Sequence, residues 1–254
     1  IKLNSDNGAA ATGDFVIDYI EFYNGFETTE NGNWSTAATW VGNYVPTALD
    51  NVQINHNISI SATTAAVAKT VIVATSNTLT IDETSSLTVS GDFTNSGGTV
   101  TLNSTEDDFS SLIVEGTATG DITYNRYVNS YDTNPDGGGW DLVGSPTVMT
   151  IADFTTANAG TLKVLGDDYA FSQYDNALGQ WVRYPTASPL GSFTTAQGYS
   201  MATNAGDGAT VAFTGAMQTT TQNINIIDNN DANAGAGRRW NLVSNPFPSY
   251  INGN

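Results

Sequence analysis

Cysteine is absent from all 254 residues, and histidine occurs once. Those two shortages exclude a disulfide framework, a thiol nucleophile, thiolate metal sites and the usual histidine-rich zinc sites. Basic residues are scarce as well: 7 Lys and Arg stand against 25 Asp and Glu, a formal charge of −18. Such a surface repels nucleic acid and anionic lipid. It also disfavours sulfated or uronic polysaccharide, except through a local basic patch or bridging cations. No apolar run approaches the about 18 residues that would span a bilayer, so membrane insertion is not expected. No signal peptide is evident, and a start at Ile1 rather than Met suggests a mature or excised fragment, which leaves room for a removed export signal. Convincing amphipathic helices are missing too, because Gly, Asn, Ser and Thr crowd the chain and are poor helix formers.

What stands in their place, over about 50–128, is a series of apolar triplets. They are Val52-Gln53-Ile54, Ile58-Ser59-Ile60, Val71-Ile72-Val73, Leu79-Thr80-Ile81, Leu87-Thr88-Val89, Val100-Thr101-Leu102 and Leu112-Ile113-Val114. No triplet buries itself alone, but stacked as rungs they share one thin core along an axis. Val52 and Val71 are 19 residues apart, Val71 and Val89 are 18, and Leu87 and Leu112 are 25. Rungs of roughly 18–20 residues with loop insertions predict a short right-handed parallel β-helix, a solenoid closed by 99–102 and 121–124. His56, between Asn55 and Asn57, reads as a structural rung corner.

Beyond Arg126 the texture becomes that of an antiparallel β-sandwich. Strands are expected at 168–174, 180–184, 198–202, 210–215 and 221–226, the first two forming a hairpin about Asp175-Asn176-Ala177-Leu178-Gly179. The all-β chain therefore divides into four parts. Residues 1–26 are a terminal strand of a preceding jelly-roll-like module or a solenoid cap, carried by the β-prone run 15–23. Residues 27–128 are the solenoid, 129–238 the sandwich, and 239–254 the start of a truncated following module.

Two motifs carry a resemblance. Gly32-Asn33-Trp34-Ser35, Thr39-Trp40, Pro46 and Asp50-Asn51-Val52-Gln53-Ile54 form the first. The second is Trp140-Asp141-Leu142-Val143-Gly144-Ser145-Pro146, which returns 100 residues later as Trp240-Asn241-Leu242-Val243-Ser244-Asn245-Pro246. Both are similar to elements of large multimodular surface proteins exported by the type IX secretion system. The resemblance implies an extracellular or outer-surface location and other modules of the same polypeptide as neighbours. In that context Trp34 and Trp40 would cover the open first rung, against the rival reading of a sugar-stacking pair.

Candidate chemistry is sparse. Asp132, Asn134 and Asp136 alternate ahead of Gly137 like the front half of an oxygen-ligand calcium loop, but Val143 stands where a closing Glu would. Asp228 and Asp231 form a second candidate, so Ca2+ is the one cofactor the sequence offers. The hairpin gathers Tyr169, Phe171, Tyr174, Trp181 and Tyr184 about Arg183. Trp181, Arg183, Tyr174 and Tyr184 are the candidate carbohydrate-binding residues, aromatic rings stacking on sugar faces and the guanidinium holding a carboxylate or sulfate. Alternation puts Trp181 and Arg183 on one face and Val182 and Tyr184 on the other. The competing reading places Trp181 and Tyr174 in the sandwich core. Asp107-Asp108 is the obvious acid pair for a β-helix hydrolase or lyase, yet no helper His or basic residue accompanies it.

The sequence thus reads as a non-catalytic structural or adhesive module of a secreted or cell-surface protein, with polysaccharide or a surface glycan as its partner. Its rivals are a carbohydrate-binding accessory region of a polysaccharide-degrading enzyme and, second, a β-helix polysaccharide lyase or hydrolase.

Overall fold

The computed structural model describes residues 25–61, 63–131, 139–204, 206–228 and 239–251, together with an antiparallel strand pair, Lys2–Leu3 with Ile20–Glu21. Of the expected first strand, 15–19 and 22–23 lie outside the described residues. The rest is an all-β parallel β-helix of about three turns joined to an antiparallel sandwich.

Three parallel ladders form the solenoid faces. The first stacks Phe26–Glu27, Asn51–Ile54, Thr70–Val73, Phe93–Asn95 and Ala118–Thr119. The second stacks Gly32–Asn33, Ile58–Ile60, Thr78–Ile81, Thr99–Leu102 and Asp121–Val128. The third stacks Ala65–Ala68, Ser86–Val89 and Ser111–Val114. Period-two alternation sends one set of side chains inward, and like then lies upon like: Ile58 on Leu79 on Val100, and Ile60 on Ile81 on Leu102. Each buried Val, Leu or Ile contributes about 1.5–3 kcal/mol, which is how three-residue strands hold together. Outward, Ser59, Thr80, Thr101, Thr123 and Thr214 stand in register as a hydroxyl ladder. A corner ladder runs beside it, Asn103 donating to Asp82 at 3.3 Å and Asn125 to Asn103 at 3.1 Å.

The expected rung spacing needs correction. Val71 lies opposite Phe93, whereas Val89 lies opposite Ala68 on another face. All three faces carry the same triplet texture, so counting between triplets mixes faces.

Both ends of the solenoid are covered. At the first rung Trp34 and Trp40 are buried edge-to-face with centroids 4.9 Å apart, and Trp40 Nε1 donates to the Trp34 carbonyl at 2.8 Å. They are core caps. His56 Nδ1 meets Thr28 Oγ1 at 3.0 Å at a corner, a structural tie. At the far end the Leu112 N–H donates to the Pro248 carbonyl at 2.7 Å, so chain from the second signature closes that strand edge.

The second face continues directly into the sandwich. Asp121–Val128 pairs in parallel with Thr99–Leu102 on one side and antiparallel with Ala209–Met217 on the other. One strand thus belongs to both halves. The second sandwich sheet runs Asp141–Val143, Tyr199–Met201, Asp168–Asp175 and Gln180–Pro185. Between the sheets pack Phe154, Phe171, Phe193, Tyr199 and Phe213.

Two expectations fail here. A helix does occur, Ile151–Ala157, with Thr150 Oγ1 accepting from the Asp153 N–H at 3.0 Å while Ile151 and Phe154 are buried. The alternating stretch 221–226, in contrast, joins no ladder. Its neighbour Ile227 is held instead by the Asn241 side-chain amide, at 2.9 Å through both N–H and C=O.

Burial raises the phenol pKa of Tyr124, Tyr184 and Tyr199 above the ordinary 10.0. Above pH about 10 the unfolded chain gives up these protons while the folded one keeps them, so the unfolded state binds fewer and stability falls as pH rises. Urea midpoints are expected to be flat through these groups below pH about 10 and to drop above it. The slope is at most about 1.4 kcal/mol per pH unit for each phenol, less for the solvent each still sees. Tyr184→Phe should shallow that drop; an unchanged slope would show that its proton is not held by the fold.

Candidate functional site

The hairpin owes its turn to Asp175, whose Oδ1 accepts the Leu178 N–H at 3.0 Å, and to Gly179, which takes φ +67°. That turn fixes a register in which Tyr174 faces Trp181 and Ser172 faces Arg183. Residues directly opposite share a face, so Leu142, Ser200, Ser172 and Arg183 form one row across the sheet, with Tyr174 and Trp181 in the next row on the same side. This is the outer side. Phe171 and Met201, in register on the opposite side, lie in the core.

Small serines in the middle of that outer face leave the large groups standing proud. Trp181 is 41% exposed and Trp240 68%. Tyr174 bridges them, with its ring centroid 5.3 Å from Trp181 and 6.2 Å from Trp240. Two residues along from Trp181, the Arg183 guanidinium lies 5.9 Å from the Trp140 ring centroid. Trp140 meets Tyr131 edge-on at 5.8 Å, and Lys163 Nζ is 6.0 Å from the Tyr131 ring. The result is a strip of five aromatic rings carrying two of the chain's 7 basic residues.

Tyr184 is not part of it. Its ring stacks on Phe171 at 4.6 Å, and its hydroxyl donates to Gln173 Oε1 at 3.1 Å. The alternation that exposes Trp181 and Arg183 turns Tyr184 to the core. The core alternative for Trp181 and Tyr174 falls by the same register, phenylalanines having filled that space. Trp140 and Trp240 belong to the strip although only their repeated signature stood out in the sequence. The signal was the signature itself, which in its first copy sets Trp140 just ahead of Asp141–Val143, a strand of this sheet.

Beside Tyr174 runs a groove of about 560 Å³ between the hairpin tip, the 194–198 loop and chain near Asn223 and Asn241. Amides and hydroxyls line it, among them Asn176, Thr195, Gln197 and Asn225. The Asn176 amide nitrogen is buried there without a hydrogen-bond partner. Such a lining suits hydroxyl-rich ligands, since each amide offers both donors and an acceptor.

The remaining candidates are dispersed. Asp107 and Asp108 stand exposed at a turn tip closed by the Thr105 N–H donating to the Asp108 carbonyl at 2.9 Å. Asp132, Asn134, Asp136 and Asp231 lie outside the described residues. Asp228 Oδ1 is 3.4 Å from Arg239 Nε on the surface. Among the described residues no three His, Cys, Asp or Glu side chains gather as a metal site, and no helix is long and apolar enough to cross a membrane.

Fold and strip together define an all-β solenoid–sandwich module with an exposed aromatic face. The chain belongs to a family recorded as a domain of unknown function, DUF8693, whose profile matches residues 24–254. No curated protein and no solved structure matches it.

Proposed function

We propose that this is a non-catalytic structural or adhesive module of a secreted or cell-surface multimodular protein that contacts polysaccharide through the aromatic strip. The observation that carries the reading is the exposed run Trp181–Tyr174–Trp240 beside a groove lined with amides. Sugar rings present apolar C–H faces that aromatic rings cover well, and their hydroxyls match amide donors and acceptors. The solenoid serves as a short spacer carrying that face. Export by the type IX route and an extracellular or outer-surface location rest on the likeness of the Trp34–Trp40 opening and the repeated Trp-x-Leu-Val-x-x-Pro element to such proteins. The non-catalytic part rests on Asp107 and Asp108, which share one exposed turn instead of converging from neighbouring rungs. The same face would equally serve a carbohydrate-binding accessory region of a polysaccharide-degrading enzyme.

Affinity gels containing β-glucan, xylan, galactomannan, alginate or polygalacturonate test it. At least one should retard the wild-type chain, and Trp181→Ala should weaken that retention about ten-fold or more, equivalent to about 1.4 kcal/mol. Wild-type protein unretarded on every gel would reject glycan contact. Retention indifferent to both Trp181→Ala and Trp240→Ala would move the contact elsewhere.

A further inference from the structure

A second cleft holds a cation that no anion matches among the described residues. Arg126 projects from the shared strand Asp121–Val128 into a cavity of about 390 Å³, within the roughly 300–1,000 Å³ range of small-ligand sites. The two signature copies wall this cavity together, the first through Leu142 to Gly144 and the second through Leu242 to Asn245. They touch where a side chain at Gly144 would collide with Ser244, a close approach that only glycine allows. The repeat therefore builds a cleft as well as contributing tryptophans to the strip.

The guanidinium carbon of Arg126 stands 4.0 Å above the Phe109 ring and is half-buried. Among the described residues no carboxylate pairs with it, the one ion pair there being Arg239 with Asp228. Asp141 is near enough to favour its charge, but that carboxylate is already held by Asn129, through the backbone N–H at 2.6 Å and the side-chain amide at 3.0 Å. Burial disfavours the charged guanidinium and keeps the neighbouring Tyr124 phenol protonated as a donor. Removing a charge from water without a partner is costly. In a chain of net charge −18, where acidic groups outnumber basic ones, this is the group one would expect to be paired first.

We propose that the cleft binds a monocarboxylate carried on an apolar or ring-shaped body. The planar guanidinium fork fits two carboxylate oxygens at once. Tyr124 and Ser249 stand near to add hydrogen bonds, while Phe109, Phe247 and Tyr250 receive the body. A dianion such as phosphate is opposed twice over by the chain's net charge of −18 and meets one cation among the described lining residues. A uronic-acid residue and a free organic acid share the required chemistry. The site is distinct from the aromatic strip and does not depend on it.

Titration calorimetry and thermal shift on the whole chain, with glucuronate and benzoate as probes, test this. Glucose, benzamide and inorganic phosphate serve as controls. At least one carboxylate should bind saturably and raise the melting temperature, its neutral counterpart should not, and phosphate should bind at least ten-fold more weakly. Glucuronate alone identifies a sugar acid, benzoate alone an organic acid, and both a carboxylate on either body. Arg126→Gln should abolish binding and Arg126→Lys weaken it about ten-fold, whereas Trp181→Ala should leave it unchanged. The comparison of each carboxylate with its neutral counterpart needs no variant, so it holds even where Arg126→Gln folds poorly. No saturable carboxylate binding by the wild type, or equal binding of the neutral counterparts glucose and benzamide, overturns the proposal.

Discussion

Val73→Asp is expected to unfold the solenoid, while Ile72→Asp, one residue away, leaves it standing. Val73 is fully buried between Ile54 and Asn95 in adjacent rungs, whereas Ile72 points outward and is 40% exposed. A carboxylate at position 73 would enter a core of aliphatic side chains, and the one polar neighbour in register, Asn95, already donates its amide N–H groups to the Gly98 and Asp121 carbonyls. Its cost should exceed about 4 kcal/mol, a magnitude reserved for buried unpaired charge and similar lesions. At position 72 the same carboxylate faces water, and surface changes stay within about 0.5 kcal/mol. Urea melts followed by circular dichroism check both. Equal loss in the two variants would mean that the strands do not present alternate residues to a shared core.

Trp40→Ala should cost about 3–5 kcal/mol, the range for deleting a large buried aromatic. Its ring closes the first rung against Trp34, and its Nε1–H is bound to the Trp34 carbonyl. Trp40→Phe keeps much of the packing but leaves that carbonyl unmatched, for about 1–3 kcal/mol. In a stack where each rung leans on its neighbours, damage starts at the uncovered end. Hydrogen exchange in Trp40→Ala should therefore quicken first in Asn51–Ile54 and Ile58–Ile60 and last in Ser111–Val114. Uniform loss of protection would contradict a capping role.

The triplets were legible because alternation is a property of each strand by itself. Which rung-mate each triplet meets is decided by the corners between them, and Ser, Thr, Asn and Gly make many corners with similar composition. Ala65–Ala68 escaped notice for a related reason: alanine carries little β signal, yet its small side chain fits a narrow core. The seven residues of Ile151–Ala157 are too few to show a helical period, although Thr150 and Asp153 already held the spacing of an N-terminal cap. In 221–226 the reverse occurred, since alternation makes a strand only where a neighbour offers an edge. At the site, parity along Gln180–Pro185 was enough to put Trp181 and Arg183 together and to set Tyr184 apart. The arrival of Trp240 beside Tyr174 depends on how distant chain docks, and nothing local to either residue announces it.

Eight consecutive residues of Asp121–Val128 are bonded to Ala209–Ala216 while the start of the same strand is bonded to the solenoid. The two lobes are therefore lapped together like planks along a seam, with no swivel at the joint. A torque delivered to the sandwich reaches the shaft through many backbone bonds loaded at once. The aromatic strip lies on the other sheet of the sandwich, which packs on the seam's sheet through Phe171, Tyr199 and Phe213, so turning the strip against the shaft would mean prising open a core.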